Sequence, residues 1–308
     1  MDVLSDILQS IHLSGGVYFR CDFTAPWGLQ VPSASVAEFH VVVRGQCWIA
    51  VPGMTAPLPL VAGDVAVLLD GGEHRLLDSP RAKALPPERI VGNRMPENYG
   101  PVTYGGGGEE VSILCGYFQF ERDSTHPLLS ALPGFMHVRA NDSGDAGALH
   151  SIIDLMHLET RLTRVGAQAA VNRLAELLFI QIVRAYVNQA GVENGLLSAL
   201  GDPQISAALG HMHRSPGENW TLATLADRLG MSRSVFAARF HERVGQTPMQ
   251  YLTNLRMEAA RRLLGESRLS TLAVAEKVGY GSEAAFSKVF KRYVGVGPGA
   301  YRRFRKQP

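Results

Sequence analysis

The sequence predicts an α+β multidomain chain: an N-terminal β-barrel, a helical stretch, and an all-α C-terminal module of two helix-turn-helix units. Three observations carry that expectation. At 308 residues the chain has room for about two domains of ordinary size. Short apolar runs punctuated by Gly and Pro fill residues 18–138, and helical periodicity takes over from Ala146. The charge is also split. Residues 1–202 hold 13 basic against 21 acidic side chains, and residues 203–308 hold 17 against 7. An acidic body is joined to a basic module, and basic surfaces attract phosphate backbones by releasing counterions. The expected boundaries are 1–140 for the barrel, 141–202 for the helical dimerisation and linker region, and 203–308 for the basic module.

Composition narrows the class. With 46% hydrophobic and 19% charged residues the chain can bury a core and is not a disordered tail. Its most apolar stretch, Leu174 to Val187, is broken by Glu176, Gln181 and Arg184, so no membrane span is expected. The opening Met-Asp-Val-Leu-Ser-Asp has no charged-then-apolar signal pattern. Three cysteines cannot make a disulfide framework, which suits a reducing compartment. A cytoplasmic protein is expected.

In the acidic body, Glu38 to Val51 predicts a strand pair around Arg44-Gly45, and Pro59 to Asp78 two more strands joined at Ala62-Gly63-Asp64. Val111 to Phe120 is a further strand, and the segment Asp78 to Glu110 is irregular. Many short strands with turn signals argue for a barrel or sandwich. Next, Leu149, Ile152, Ile153 and Met156 form one amphipathic helix, and Ala170 to Val187 a second after Gly166. Gly191 to Asp202 connects to the basic module, which Pro203 opens as the first residue of a helix.

That module repeats itself. Phe236, Phe240, Gly245, Pro248 and Tyr251 recur fifty residues later as Phe286, Phe290, Gly295, Pro298 and Tyr301. Leu225, Ala226, Leu229 and Gly230 recur as Val274, Ala275, Val278 and Gly279. Each copy reads as helix, tight turn, helix, with Ser232 and Ser282 as N-caps of the second helices. The segment Met249 to Leu264 links the copies as a helix. In this layout the second helix of each unit enters the major groove of double-stranded DNA. With the core Phe positions removed, Arg233, Ser234, Ala237 and Ala238 face the groove in the first unit, and Glu283, Ala284, Ser287 and Lys288 in the second. Arg239 and Arg243 could supplement the first set, while Arg256, Lys291 and Arg292 suit phosphate contacts, which set register rather than sequence.

These residues resemble the DNA-binding domain of AraC/XylS-type bacterial transcription regulators, and VGYGSEAAFSKVFKRYVGVGPGAYRR is especially close to that family's signature. Family members commonly carry Arg or Lys at the places held by Ala238 and Lys288; this chain keeps the cation only in the second unit. Further upstream, Gly63-x5-Leu69-x-Gly71-x2-His74 resembles the second cupin motif, and Glu38-x6-Gly45 the end of the first, without its His-x-His pair. The whole chain is similar to the branch of that family that couples a cupin-like sensor barrel to the reader, including reactive-chlorine-sensing members. The resemblance implies a transcriptional activator that contacts RNA polymerase, and a homodimer joined through the helical region. It makes catalysis unnecessary, and the missing His-x-His pair argues against a cupin enzyme using iron.

The sensor residues leave several readings open. His40 and His74, with Cys115 on a later strand, could hold zinc or another divalent metal as a tetrahedral N/S site, or simply hydrogen-bond within the barrel. No cofactor is required; a divalent metal in the barrel is the possible one. A thiol sensor is the second possibility: Cys21 stands beside Arg20, whose charge would lower its pKa if the side chains adjoin. The resemblance also favours Cys21, with Cys115 and Cys47 as further candidates, Cys47 the poorer. A small organic effector inside the barrel is the third.

Overall fold

The computed structural model describes residues 3–11, 13–92, 101–120, 127–140, 146–162, 164–189 and 195–305. The centre of the irregular Asp78–Glu110 segment and the start of the Gly191–Asp202 connection lie outside the described residues. Helix α1 (Val3–Ser10) precedes ten strands among the described residues. These are β1 (Leu13–Thr24), β2 (Gly28–Val31), β3 (Ala37–Arg44), β4 (Gln46–Ala50), β5 (Leu58–Val61) and β6 (Val65–Leu68). There follow β7 (His74–Leu77), β8 (Pro101–Gly105), β9 (Glu110–Phe120) and β10 (Phe135–Val138). Helices α2 (Pro87–Ile90) and α3 (Pro127–Ala131) interrupt the strands, and α4 (Ala146–Arg161) and α5 (Ala167–Gln189) follow them.

Contacts divide the chain into two compact units that are not consecutive in sequence. One joins Leu13–Glu121 to Pro133–Gly191; the other joins Met1–His12 and Arg122–Leu132 to Val192–Pro308. This contact-based division is nested, where the expected boundaries at 140 and 202 are linear. Helical periodicity is local and does not say which distant surface an amphipathic helix will cover.

In the first unit the strands form two sheets, ordered β10-β6-β3-β9-β1-β8 and β2-β7-β4-β5. Phe19, Cys21 and Phe23 of β1 point between the sheets with Trp27, Cys47 and Ile49. The strand pair expected around Arg44-Gly45 is not a hairpin: β3 pairs with β6 and β9, and β4 with β5 and β7. The chain instead crosses from one sheet to the other at Gly45, where φ is +79° and a Cβ would run into the Glu110 carbonyl. The turn at Ala62-Gly63-Asp64 makes a similar crossing between β5 and β6. Helix α5 packs on the outer side of the larger sheet, with Phe179 edge-on to Phe118 at 5.2 Å and Ala175 over Gly15. The apolar run read from the sequence, Leu149, Ile152, Ile153 and Met156, is buried along α4.

The second unit is helical. After α6 (Leu196–Leu200) come α7 (Pro203–Arg214), α8 (Leu222–Arg228), α9 (Arg233–Val244) and α10 (Pro248–Glu266). The second copy comprises α11 (Thr271–Lys277), α12 (Glu283–Val294) and α13 (Pro298–Arg305). Pro203 opens α7 as expected, and the Asp202 side chain accepts from the Gln204 and Ile205 amides to cap it. Helix α1 belongs here: it packs on α7, Val3 and Ile7 are buried, and Asp6 pairs with Arg214 at 2.7 Å.

Candidate DNA-binding surface and sensor cavity

Each reading helix is held by a cap at its start and an aromatic chain behind it. Ser232 accepts from the Val235 amide and Ser282 from the Ala285 amide, while Gly245 and Gly295 close the helices in the left-handed region. Behind α9, Phe236 meets Phe240 at 5.7 Å and Phe240 meets Tyr251 at 5.8 Å. Behind α12, Phe286 meets Phe290 and Phe290 meets Tyr301, both at 5.5 Å. The repeat seen in sequence is thus a repeated core.

The outward faces carry most of the expected contact residues. Arg233, Ser234 and Ala238 are exposed on α9; Glu283, Ala284, Lys288, Lys291 and Arg292 are exposed on α12. Ala237 and Ser287 sit half-buried at the flank. Val235 and Ala285, both exposed in the first turn, were not among the expected contact residues. An exposed apolar side chain there suits a thymine methyl.

Three expected contact arginines turn to partners within the protein. Arg239 donates from Nε to Asp202 at 2.7 Å and from Nη1 to Gln204 Oε1 at 2.7 Å, tying α9 to the start of α7. Arg243 also turns toward Asp202, at 3.9 Å. Arg256 donates to the Pro216 carbonyl and the Glu218 carbonyl, both at 2.7 Å, and lies over the Tyr280 ring. The carboxylate and carbonyls that claim these arginines lie some 35–40 residues away, in segments whose proximity the helix pattern cannot show.

In the barrel, the sequence-predicted sensor residues meet. His40 and Cys115 are partners across β3 and β9, and His74 opens β7 on the facing sheet. His40 Nδ1 is 3.2 Å from Cys115 Sγ, and His40 Nε2 is 2.7 Å from His74 Nε2. His74 Nδ1 lies 2.8 Å from the Gly72 carbonyl. Because a carbonyl only accepts, the His74 proton sits on Nδ1; His40 then donates from Nε2, and its Nδ1 accepts from the Cys115 thiol. Burial, reinforced by neighbouring His74, holds His40 well below the usual histidine range, so the ring is neutral.

The metal set expected at His40, His74 and Cys115 is not assembled. Cys115 and His74 lie against different nitrogens of one imidazole, so the three do not surround a common point. Two nitrogens on a tetrahedral zinc stand about 3.3 Å apart, more than the hydrogen-bonded pair found here. Among the described residues no cluster of His, Cys, Asp and Glu has an arrangement that could hold a metal ion.

Cys21 also departs from expectation. Successive strand residues point to opposite faces, so Arg20 turns outward and pairs with Asp22 at 2.9 Å instead of lying against the thiol. Burial, with Cys115 alongside, pushes the Cys21 thiol up rather than down. Its Sγ is nevertheless 3.9 Å from Cys115 Sγ. Cys47, buried, is likewise pushed up. Cys115, His40 and Glu38 line a cavity of about 410 Å³ that also takes in Tyr18, Leu29 and Val91. Burial raises the Glu38 carboxyl to about 7.

Residues 2–188 match the family model described as a cupin, and residues 225–303 one described as a helix-turn-helix domain. The chain is similar to a putative AraC-like transcription regulator of Streptomyces lividans, 31% identical over 100% of both chains. A protein of the same description from Streptomyces antibioticus is 32% identical over 98% of this chain and 99% of its own. The RCS-specific HTH-type transcriptional activator RclR of Escherichia coli K12 is 28% identical over 98% of this chain and 97% of its own. No helix among the described residues is long and apolar enough to cross a membrane.

Proposed function

The chain belongs to the AraC-like transcription regulators that join a cupin domain to a helix-turn-helix domain, and we propose that it answers to an oxidant through its barrel thiols. It is a DNA-binding regulator rather than an enzyme. The observation that carries the finer reading is the Cys21–Cys115 pair, 3.9 Å apart, with Cys115 on the wall of the cavity.

Cys115 is the thiol oxidised first. It donates to His40 Nδ1, which takes the proton as the sulfur attacks the chlorine of hypochlorous acid. An S–Cl bond forms, the Cl–O bond breaks, and the leaving hydroxide takes the proton from His40 to become water. The Cys21 sulfur then attacks Cys115 Sγ, expelling chloride and releasing its own proton. Two thiols are oxidised to a disulfide while chlorine(+1) is reduced to chloride. Closing the bond brings the sulfurs from 3.9 Å to about 2.05 Å, drawing β1 and β9 together at that point. The relative named an RCS-specific transcriptional activator supports an oxidant of this class and an activating role. RNA polymerase is the partner through which an activator of this kind would act.

A homodimer forms part of the same proposal. Leu155, Leu158 and Leu162 are exposed along one face of α4 and the residue after it, a stripe that a second copy would cover.

The test is disulfide mapping by mass spectrometry on the full chain after mild hypochlorous acid treatment. One reductant-reversible Cys21–Cys115 bond is expected, with Cys47 left as a thiol. Oxidation that spares both cysteines, or that joins Cys47 instead, would overturn the proposal.

A further inference from the structure

On the outer face of the larger sheet, away from the thiols, the same unit encloses a second cavity of about 400 Å³, a size typical of small-ligand sites. Strands β1 and β9 supply Arg20, Asp22 and Ser112, and helix α4 supplies His157 and Arg161. Arg20 is 8% exposed. Its Nε and Nη2 are spent on Asp22, at 3.0 and 2.9 Å, and Asp22 also accepts from Ser112 Oγ at 2.7 Å. Arg20 Nη1 is buried without a partner, and so is Nδ1 of His157.

A guanidinium nitrogen is a donor in every state, and a buried donor without an acceptor is rare in folded proteins. Arg20 Nη1 is such a donor and calls for an acceptor; His157 Nδ1, a donor or an acceptor according to its tautomer, is a second unsatisfied atom on the same cavity. The charge balance narrows what supplies that acceptor. Arg20, Arg44 and Arg161 stand against Asp22 and Glu110, an excess of one positive charge that one negative charge neutralises.

We propose that this cavity binds a small monoanion, a carboxylate that accepts from Arg20 and Arg161. A phosphate dianion would bring surplus negative charge against Asp22 and Glu110. The site does not depend on the thiol chemistry, since β1 sends Arg20 and Cys21 to opposite faces.

The test is calorimetric titration of the reduced full-length protein with acetate, hexanoate and benzoate, beside 1-hexanol and inorganic phosphate. At least one of the three carboxylates is expected to bind one per chain with Kd below about 1 mM, and hexanol and phosphate about tenfold weaker or worse. Arg161→Gln, at an exposed position, should weaken that carboxylate about tenfold without moving the unliganded Tm, and Arg20→Lys should do the same to affinity. The proposal is overturned if none of the three carboxylates binds, if hexanol or phosphate matches them, or if Arg161→Gln leaves the affinity unchanged.

Discussion

In the first helix-turn-helix unit Phe236 and Phe240 meet Tyr251; in the second Phe286 and Phe290 meet Tyr301 with nearly the same spacings. Both units use a serine cap and a left-handed glycine. Outside, they part. The face of α12 presents Lys288, Lys291 and Arg292, where α9 presents Ala238, His241 and Glu242. Buried positions must fill the same volume in both copies, whereas exposed positions face no packing constraint and can take different reading tasks. At these three places the second unit offers exposed cations where the first offers none. In the first unit Arg233 is exposed near the helix start, and Arg239 is committed to Asp202.

The largest expected effect tests the shared interior. Phe240→Ala and Phe290→Ala should each cost about 3–5 kcal/mol, by the same amount within about 1 kcal/mol, in denaturant unfolding of the full chain. Markedly unequal costs would mean that the two cores are equivalent in sequence but not in packing. A smaller effect tests the different exteriors. Lys288→Ala should weaken binding to specific DNA by about 1–3 kcal/mol, and replacing Lys291 and Arg292 with Ala should flatten the salt dependence by about 0.9 in slope for each phosphate no longer neutralised. His241→Ala in the first unit should leave that slope alone. If His241→Ala flattened it as much as the second-unit changes, the two units would not differ in their grip on phosphate.

The reader was legible in the sequence because its signals are local: serine caps, i,i+4 phenylalanines and glycines one step past a helix. The repeat then supplied an internal check. What escaped was every pairing across distance. Nothing in the spacing of Arg239 or Arg256 points to Asp202 or to the Pro216 carbonyl. The barrel shows a different limit. The glycines of its cupin-like motifs do lie at positive φ, +79° at Gly45, +91° at Gly63 and +62° at Gly71. The sequence located the turns at Gly45 and Gly63, but ran one strand through Gly71, where the chain turns between β6 and β7. It did not show that the turns at Gly45 and Gly63 carry the chain between two sheets. The twofold period of a strand already places Arg20 and Cys21 on opposite faces, so adjacency in sequence was no ground for a lowered thiol pKa. The His40 relay and the closeness of Cys21 to Cys115 needed strand register, which sets residues far apart in sequence side by side.

The central claim is that the barrel thiols govern the reader. Its most direct test is the affinity of the full-length protein for DNA from its own upstream region, reduced and after mild hypochlorous acid treatment, with competitor DNA at physiological salt and Cys115→Ser alongside. A change of about tenfold or more is expected in the wild-type chain, reversed by reductant and absent in Cys115→Ser. Specific binding that is indifferent to oxidant, or a Cys115→Ser protein that responds as the wild type does, would contradict it.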